Sequence, residues 1–142
     1  MYAVTHFSVG LMLGQAVGNP YVACASGLIS HIVLDSIPHS DYGKTAQGVL
    51  DFAAVLTVAC IAIRQGAGLS GLLGGFTGIL PDLEVAIAHL RMTKEKGMHK
   101  HRLRFPSHSG LIRHGRLRVP WGVATQIATV FVVWAVLRDA WL

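Results

Sequence analysis

Charge is scarce in this chain. Only 13% of its 142 residues are Asp, Glu, Lys or Arg, where soluble domains usually carry about 25%. Cysteine is nearly absent: Cys24 and Cys60 each lie in the middle of an apolar run and read as small packing residues, with no support for a disulfide between them. The start of the chain has neither a basic leader nor a small-residue cleavage site, so no cleavable signal is expected. Gly71, Gly74, Gly75 and Gly78 are not followed by the Lys-Ser/Thr of a phosphate loop, and their context is an apolar helix. Ser30 and Ser107 adjoin histidines, but adjacency in sequence does not make a nucleophile–base pair. No nucleic-acid recognition module accompanies the basic residues, so no nucleic-acid partner is expected.

What is present is apolar. Hydrophobic residues make up 52% of the chain and the mean hydropathy is +0.51. That balance and the length predict an all-α fold. It is a single integral membrane domain over 1–142, a small polytopic transmembrane bundle of about five short helices. The first two segments run from Ala3 to Val17 and from Tyr21 to Ile37, joined by Gly18-Asn19-Pro20. The third, Val49 to Ile63, turns at 64–68 into a glycine-rich fourth from Leu69 to Pro81-Asp82, continuing as Leu83 to Met92. The fifth, 121–137, is the cleanest span, with Trp121 and Trp134 or Trp141 as interfacial anchors. The segments group as hairpins 3–37 and 49–92, a basic loop 91–118 and a C-terminal helix. Gly27 precedes His31 by four and Gly78 precedes Asp82 by four, the spacing of a duplicated hairpin. Most segments fall short of the ~20 residues of a full span, which calls for tilt, a thin bundle or partial crossing.

The chemistry concentrates where the second segment ends. Across His31-Ile32-Val33-Leu34-Asp35, the His and Asp are four apart and share a helix face. Pro38 interrupts that helix, and His39 and Asp41 follow at its mouth. Two imidazoles and two carboxylates within eleven residues suit a divalent metal, and ionisable groups are costly in hydrocarbon. The bland reading is a helix end whose polar residues merely reach water.

Nine of the twelve Lys and Arg lie between Arg91 and Arg118. The positive-inside rule puts that loop in the cytoplasm of a prokaryotic-type inner membrane. Counting spans puts the N-terminus and the loop from Asp35 to Gly48 there as well, and the C-terminus outside. His6 and His31 are nearly equidistant from the Asn19 turn, and Asp51 and Asp82 from the Gly66 turn. All four are therefore expected near the cytoplasmic helix ends, at the level of Asp35 and His39. In the basic loop, Pro106 and the serines around His108 predict an ordered turn that brings this imidazole back as a ligand or proton donor. His99 and His114 are expected in solvent or at headgroups, and His89 stays unassigned.

Thr5-His6 with spaced glycines, His31 to Asp35, Leu80-Pro81-Asp82-Leu83-Glu84, and His101-Arg102 with Ser107-His108-Ser109 together resemble the inner-membrane metal-dependent hydrolase family (YdjM-like). That family's pattern has an N-terminal His, Pro-Asp-x-Asp, His-Arg…Thr-His-Ser and His-x-x-x-Asp. Here the His-x-x-x-Asp element precedes Pro-Asp, Glu84 replaces the second Asp, Ser107 stands for Thr, and extra residues separate His101-Arg102 from His108, as in a distant or rearranged member. The resemblance implies a membrane-embedded hydrolase.

The residues support the same chemistry. Imidazole and carboxylate ligands without cysteine suit zinc first, then manganese or iron, and such an ion acidifies its bound water. The candidate ligands are His6, His31, Asp35, His39, Asp41, Asp82 and His108, enough for one or two ions. His108 also counts as a catalytic candidate, with Glu84 as a general base or ligand-orienting group and Arg102 for a phosphate oxygen; Arg104 and Arg113 share that last role. A site beside the basic loop points to membrane lipids as partners and to an anionic or phosphorylated lipid, a lipid phosphoester or other lipid-linked ester, as substrate. Two rivals use the same residues: a metal-ion or proton transporter or channel, and a non-catalytic scaffold with glycine packing faces. A homo-oligomer would bury those glycine faces.

Overall fold

A computed structural model describes residues 1–94, 105–109 and 115–137. Among these the fold is all-α, with five helices: α1 (Ala3–Val17), α2 (Pro20–Ser36), α3 (Thr45–Arg64), α4 (Leu69–Lys94) and α5 (Trp121–Leu137).

Local chemistry explains the boundaries. Gly18 ends α1 in the left-handed region, at φ 67°, and its N–H returns to the Gly14 carbonyl. Asn19 then opens α2, its side-chain oxygen accepting from the Tyr21 and Val22 N–H groups, with Pro20 at the first helical position. Ile37 leaves α2 in an extended conformation, as the residue before Pro38 must. α3 starts four residues before the expected Val49, because the Gln47 side chain reaches back to the Gly43 and Lys44 N–H groups at 2.7 and 3.0 Å. Pro81 sits inside α4 without ending it.

The first hairpin is not repeated by the second. α1 and α2 pack on each other and both pack most closely on α4, whereas α3 and α5 lie along α1. The three central helices meet through glycine: a Cβ on Gly10 would collide with the Gly74 backbone, and one on Gly78 would stand 2.9 Å from the His6 carbonyl oxygen. Phe7, Leu11, Val55, Ala59, Ala62 and Ile79 form one apolar cluster; Met1, Val9, Met12 and Leu34 form another.

Polarity is inverted relative to a water-facing protein. Tyr21, Leu50, Ile63, Phe131 and Val136 are exposed, while His6, His31, Asp35 and His39 are buried. α3 and the Leu69–Ala88 part of α4 are long and apolar enough to cross a membrane; α1, α2 and α5 have 15, 17 and 17 residues.

Candidate metal centre

The close approach of α1, α2 and α4 brings polar side chains together in an otherwise apolar interior. His31 is fully buried, and its Nδ1 lies 2.7 Å from the Gly78 carbonyl oxygen. A carbonyl can only accept, so Nδ1 carries the proton. In neutral His31 the Nε2 lone pair then faces inward, the tautomer seen in metal-ligating histidines oriented by a backbone carbonyl. That lone pair meets Asp35 Oδ2 at 3.1 Å, the contact set up by the four-residue spacing on α2. Two acceptors this close need a proton or a metal ion between them.

The same centre receives groups from three other elements. His6 of α1 stacks on His31 with ring centroids 3.9 Å apart, and its Nε2 lies 3.2 Å from Asp35 Oδ1. Neither nitrogen of this buried ring makes an aligned hydrogen bond, so the contact with Asp35 is an ion-pair distance without hydrogen-bond geometry. Asp82 enters from α4. His108 arrives on the 105–109 turn, closed by the His108 and Ser109 N–H groups on the Phe105 carbonyl. His108 Nε2 lies 3.4 Å from His31 Nε2, 3.5 Å from Asp35 Oδ2 and 3.6 Å from Asp82 Oδ1. The turn is tied to α4 by the Phe105 N–H, which donates to Glu84 Oε2 at 3.0 Å, and Phe105 sets its ring edge-on to His31. Asp35 Oδ1 also receives the Met1 amino group at 3.1 Å.

The spacing fits a small divalent ion. Tetrahedral bonds of about 2.0–2.1 Å place ligand atoms about 3.3–3.4 Å apart. His31 Nε2, His108 Nε2 and Asp35 Oδ2 form a triangle with sides of 3.1 to 3.5 Å, and Asp82 Oδ1 stands 3.6 Å from His108 Nε2. Two overlapping sets have ligand atoms mutually within 4.8 Å: His6, His31 and Asp82, and His31, Asp35 and His108. Asp82 Oδ2, Ser107 Oγ and His108 Nδ1 are buried without a hydrogen-bond partner, an unusual cost in a closed polar site.

Five of the seven candidate ligands thus converge: His6, His31, Asp35, Asp82 and His108. The structure does not bring His39 and Asp41 into this group. After Pro38 the chain pairs in parallel with 115–117, His39 N–H to Gly115 O at 3.1 Å and Leu117 N–H to His39 O at 2.8 Å. The His39 ring is thereby set between the Ile37 carbonyl at 2.7 Å and Asp41 Oδ1 at 3.1 Å, and Asp41 also meets Arg116 Nε at 3.1 Å. The His39 hydrogen bond holds the Asp41 carboxyl down, at about 2, against the opposing push of burial. Arg102, His99, His101, Arg104, Arg113, His114 and Trp141 lie outside the described residues, as does the side chain of His89.

Two residues organise the site without having been singled out for that role by sequence. Asp51 of α3 accepts the Ala3 N–H at 2.6 Å and the Val4 N–H at 3.2 Å, capping α1 one turn before His6, and also accepts from the Tyr42 hydroxyl. Burial and Asp51 push the Tyr42 hydroxyl's pKa above its ordinary value. Gln126 of α5 accepts the Tyr2 N–H at 2.7 Å and donates to the Ser40 carbonyl at 3.2 Å. A lone Gln in an apolar helix was the available signal. A surface cleft of about 280 Å³ is lined by Tyr2, Tyr42, Gln47, Leu50 and Asp51, none of them in the converging group.

No family model matches this chain, and neither curated proteins nor solved structures give a match.

Proposed function

We propose that the chain is a membrane-embedded metal-dependent hydrolase of the kind its motifs resemble, with His31, His108, Asp35 and Asp82 holding a divalent ion, zinc before manganese or iron. The observation that carries the reading is the 3.1–3.5 Å triangle of His31, His108 and Asp35 ligand atoms, with Asp82 beside His108, around a His31 ring oriented by Gly78. A bound ion supplies Lewis acidity and an acidified water at neutral pH. The protein's own residues do the rest. Gly78 fixes the His31 tautomer, and Glu84 acts through His108 by holding its turn. The exposed apolar belt and the buried ionisable centre support a bilayer setting, and the basic 91–118 segment supports a cytoplasmic site facing a lipid phosphoester. Arg102, six residues before His108, is the candidate for holding a phosphate oxygen.

A proton or metal-ion pathway is the second reading, favoured by the His31–Asp35 contact, which a shared proton also satisfies. The two separate by experiment. Tag-free, detergent-purified protein is analysed for metal beside a folded His31→Ala/Asp82→Ala variant, and both are assayed on phospholipid and lipid-phosphate micelles. Bound metal and hydrolysis that disappear together in the variant support the hydrolase. A metal-free protein after zinc, manganese and iron are added back rejects it in favour of proton relay.

A further inference from the structure

We infer that the centre takes two divalent ions, with the Asp35 carboxylate bridging them. This rests on the metal-site reading above and goes beyond it in number and in substrate chemistry. The two oxygens of Asp35 serve different ligand sets: Oδ2 faces His31 and His108 at 3.1 and 3.5 Å, whereas Oδ1 faces His6 at 3.2 Å. One ion satisfies the first set and leaves His6 stranded. His6 is 0% exposed and both its nitrogens lack a hydrogen-bond partner; a second ion would take up Nε2, the nitrogen that faces Asp35.

The remaining ligands of that second position come from α2 and α4. His6 and Asp82 place ligand atoms within 4.8 Å of each other, Asp35 Oδ1 stands 3.2 Å from His6 Nε2, and Asp82 keeps one buried oxygen, Oδ2, without a partner. Oδ1 of Asp35 already attracts a cation: the Met1 ammonium stands 3.1 Å from it and 3.8 Å from Asp41 Oδ1. A carboxylate that bridges through both oxygens suits the ~3.5–4 Å separation of two-metal sites, which serve in-line displacement at phosphorus. Two divalent ions against the carboxylates of Asp35 and Asp82 leave an excess of positive charge. That excess selects an anionic phosphoryl group over a neutral ester.

The test is metal counting on the full-length, tag-free protein in detergent. Protein equilibrated with Zn²⁺ and freed of excess is expected to hold two equivalents, and His6→Gln one, with unchanged helical circular dichroism. Loaded with Mn²⁺, the wild type is expected to give an exchange-coupled electron paramagnetic resonance spectrum, which needs no variant to fold. His6→Gln should give the six-line spectrum of an isolated ion. One equivalent in the wild type, with an uncoupled Mn²⁺ spectrum, overturns the second ion and leaves the single-ion reading standing. No equivalents overturn both.

Discussion

His31 and Gly78 are joined across the α2–α4 contact, imidazole Nδ1 to carbonyl oxygen at 2.7 Å. Helix packing and ligand orientation are therefore one feature. A Cβ at Gly78 would sit 2.9 Å from the His6 carbonyl oxygen, which is backbone and cannot swing aside. Gly78→Ala is expected to cost about 1–3 kcal/mol through overpacking and to weaken ion binding as His31 and His6 separate. Gly48→Ala on α3 meets open space and is expected to be neutral or slightly stabilising. Denaturant titration in mild detergent, with zinc affinity measured on each variant, checks both. Equal behaviour of the two would rule out the packing argument.

Glu84 acts at a distance from the centre. Its carboxylate accepts the Phe105 N–H and so holds the turn that delivers His108. Glu84→Ala is expected to lower zinc affinity about 10–100-fold, the range for partners that orient ligands. Glu84→Gln keeps an acceptor oxygen and is expected to stay near wild type. Added to His108→Ala, the Glu84→Ala change should weaken binding little further, because both act through one ligand. Competition titration against a chromogenic chelator reads all four proteins.

The cap on α1 comes from another helix. Asp51 occupies the Ala3 and Val4 N–H groups and also accepts the Tyr42 hydroxyl. Asp51→Ala is expected to cost about 1–2 kcal/mol, as for lost N-caps, with the first turn of α1 fraying. Tyr42→Phe removes only the hydroxyl and should cost less. Hydrogen exchange at Ala3 and Val4 distinguishes a lost cap from a general loss of stability.

Much of this architecture was legible because its breaks are chemical. Asn19-Pro20, Pro38 and the Gly66 turn punctuate apolar runs at places where the helices do end. The His31–Asp35 spacing put both groups on one face, and counting from the two turns put His6 and Asp82 at their depth. His39 and Asp41 show where such counting stops. They are near His31 in sequence, but Pro38 redirects the chain and the pairing with 115–117 gives them Asp41, Ile37 and Arg116 as partners. The Asp51 cap and the Gln126 bonds join residues 47 and 124 positions apart, and no local pattern encodes such closures.

Asp41 gives the fold an acid-side dependence whose sign follows from its pairing. Its carboxyl titrates at about 2 in the folded chain against 3.8 for the free group. The folded state therefore favours the ionised form. The resulting stabilisation is fully present above about pH 4 and is lost as pH falls through about 2. Asp41 is about a third exposed, so the effect is small. Asp41→Asn is expected to be less stable than wild type at pH 5–7 and to converge with it near pH 2. A gap that persists unchanged at pH 2 would assign the difference to packing instead.

Gln126 carries the last test. Its amide oxygen takes the Tyr2 N–H, and its amide nitrogen reaches the Ser40 and Gly122 carbonyls at 3.2 and 2.9 Å. One side chain of α5 thus fixes both the segment entering α1 and the loop after α2, which flank the His31–Asp35 cluster. Gln126→Leu matches the helix in hydrophobicity but leaves the Tyr2 N–H and the Ser40 carbonyl without these partners. The expected cost is about 1–3 kcal/mol. Gln126→Glu retains the acceptor for Tyr2 and loses the donor to Ser40, so it separates the two bonds. If α5 merely packs by apolar contact, Leu will be the more stable variant and Glu the less, and that ordering in a denaturant titration decides between the two accounts.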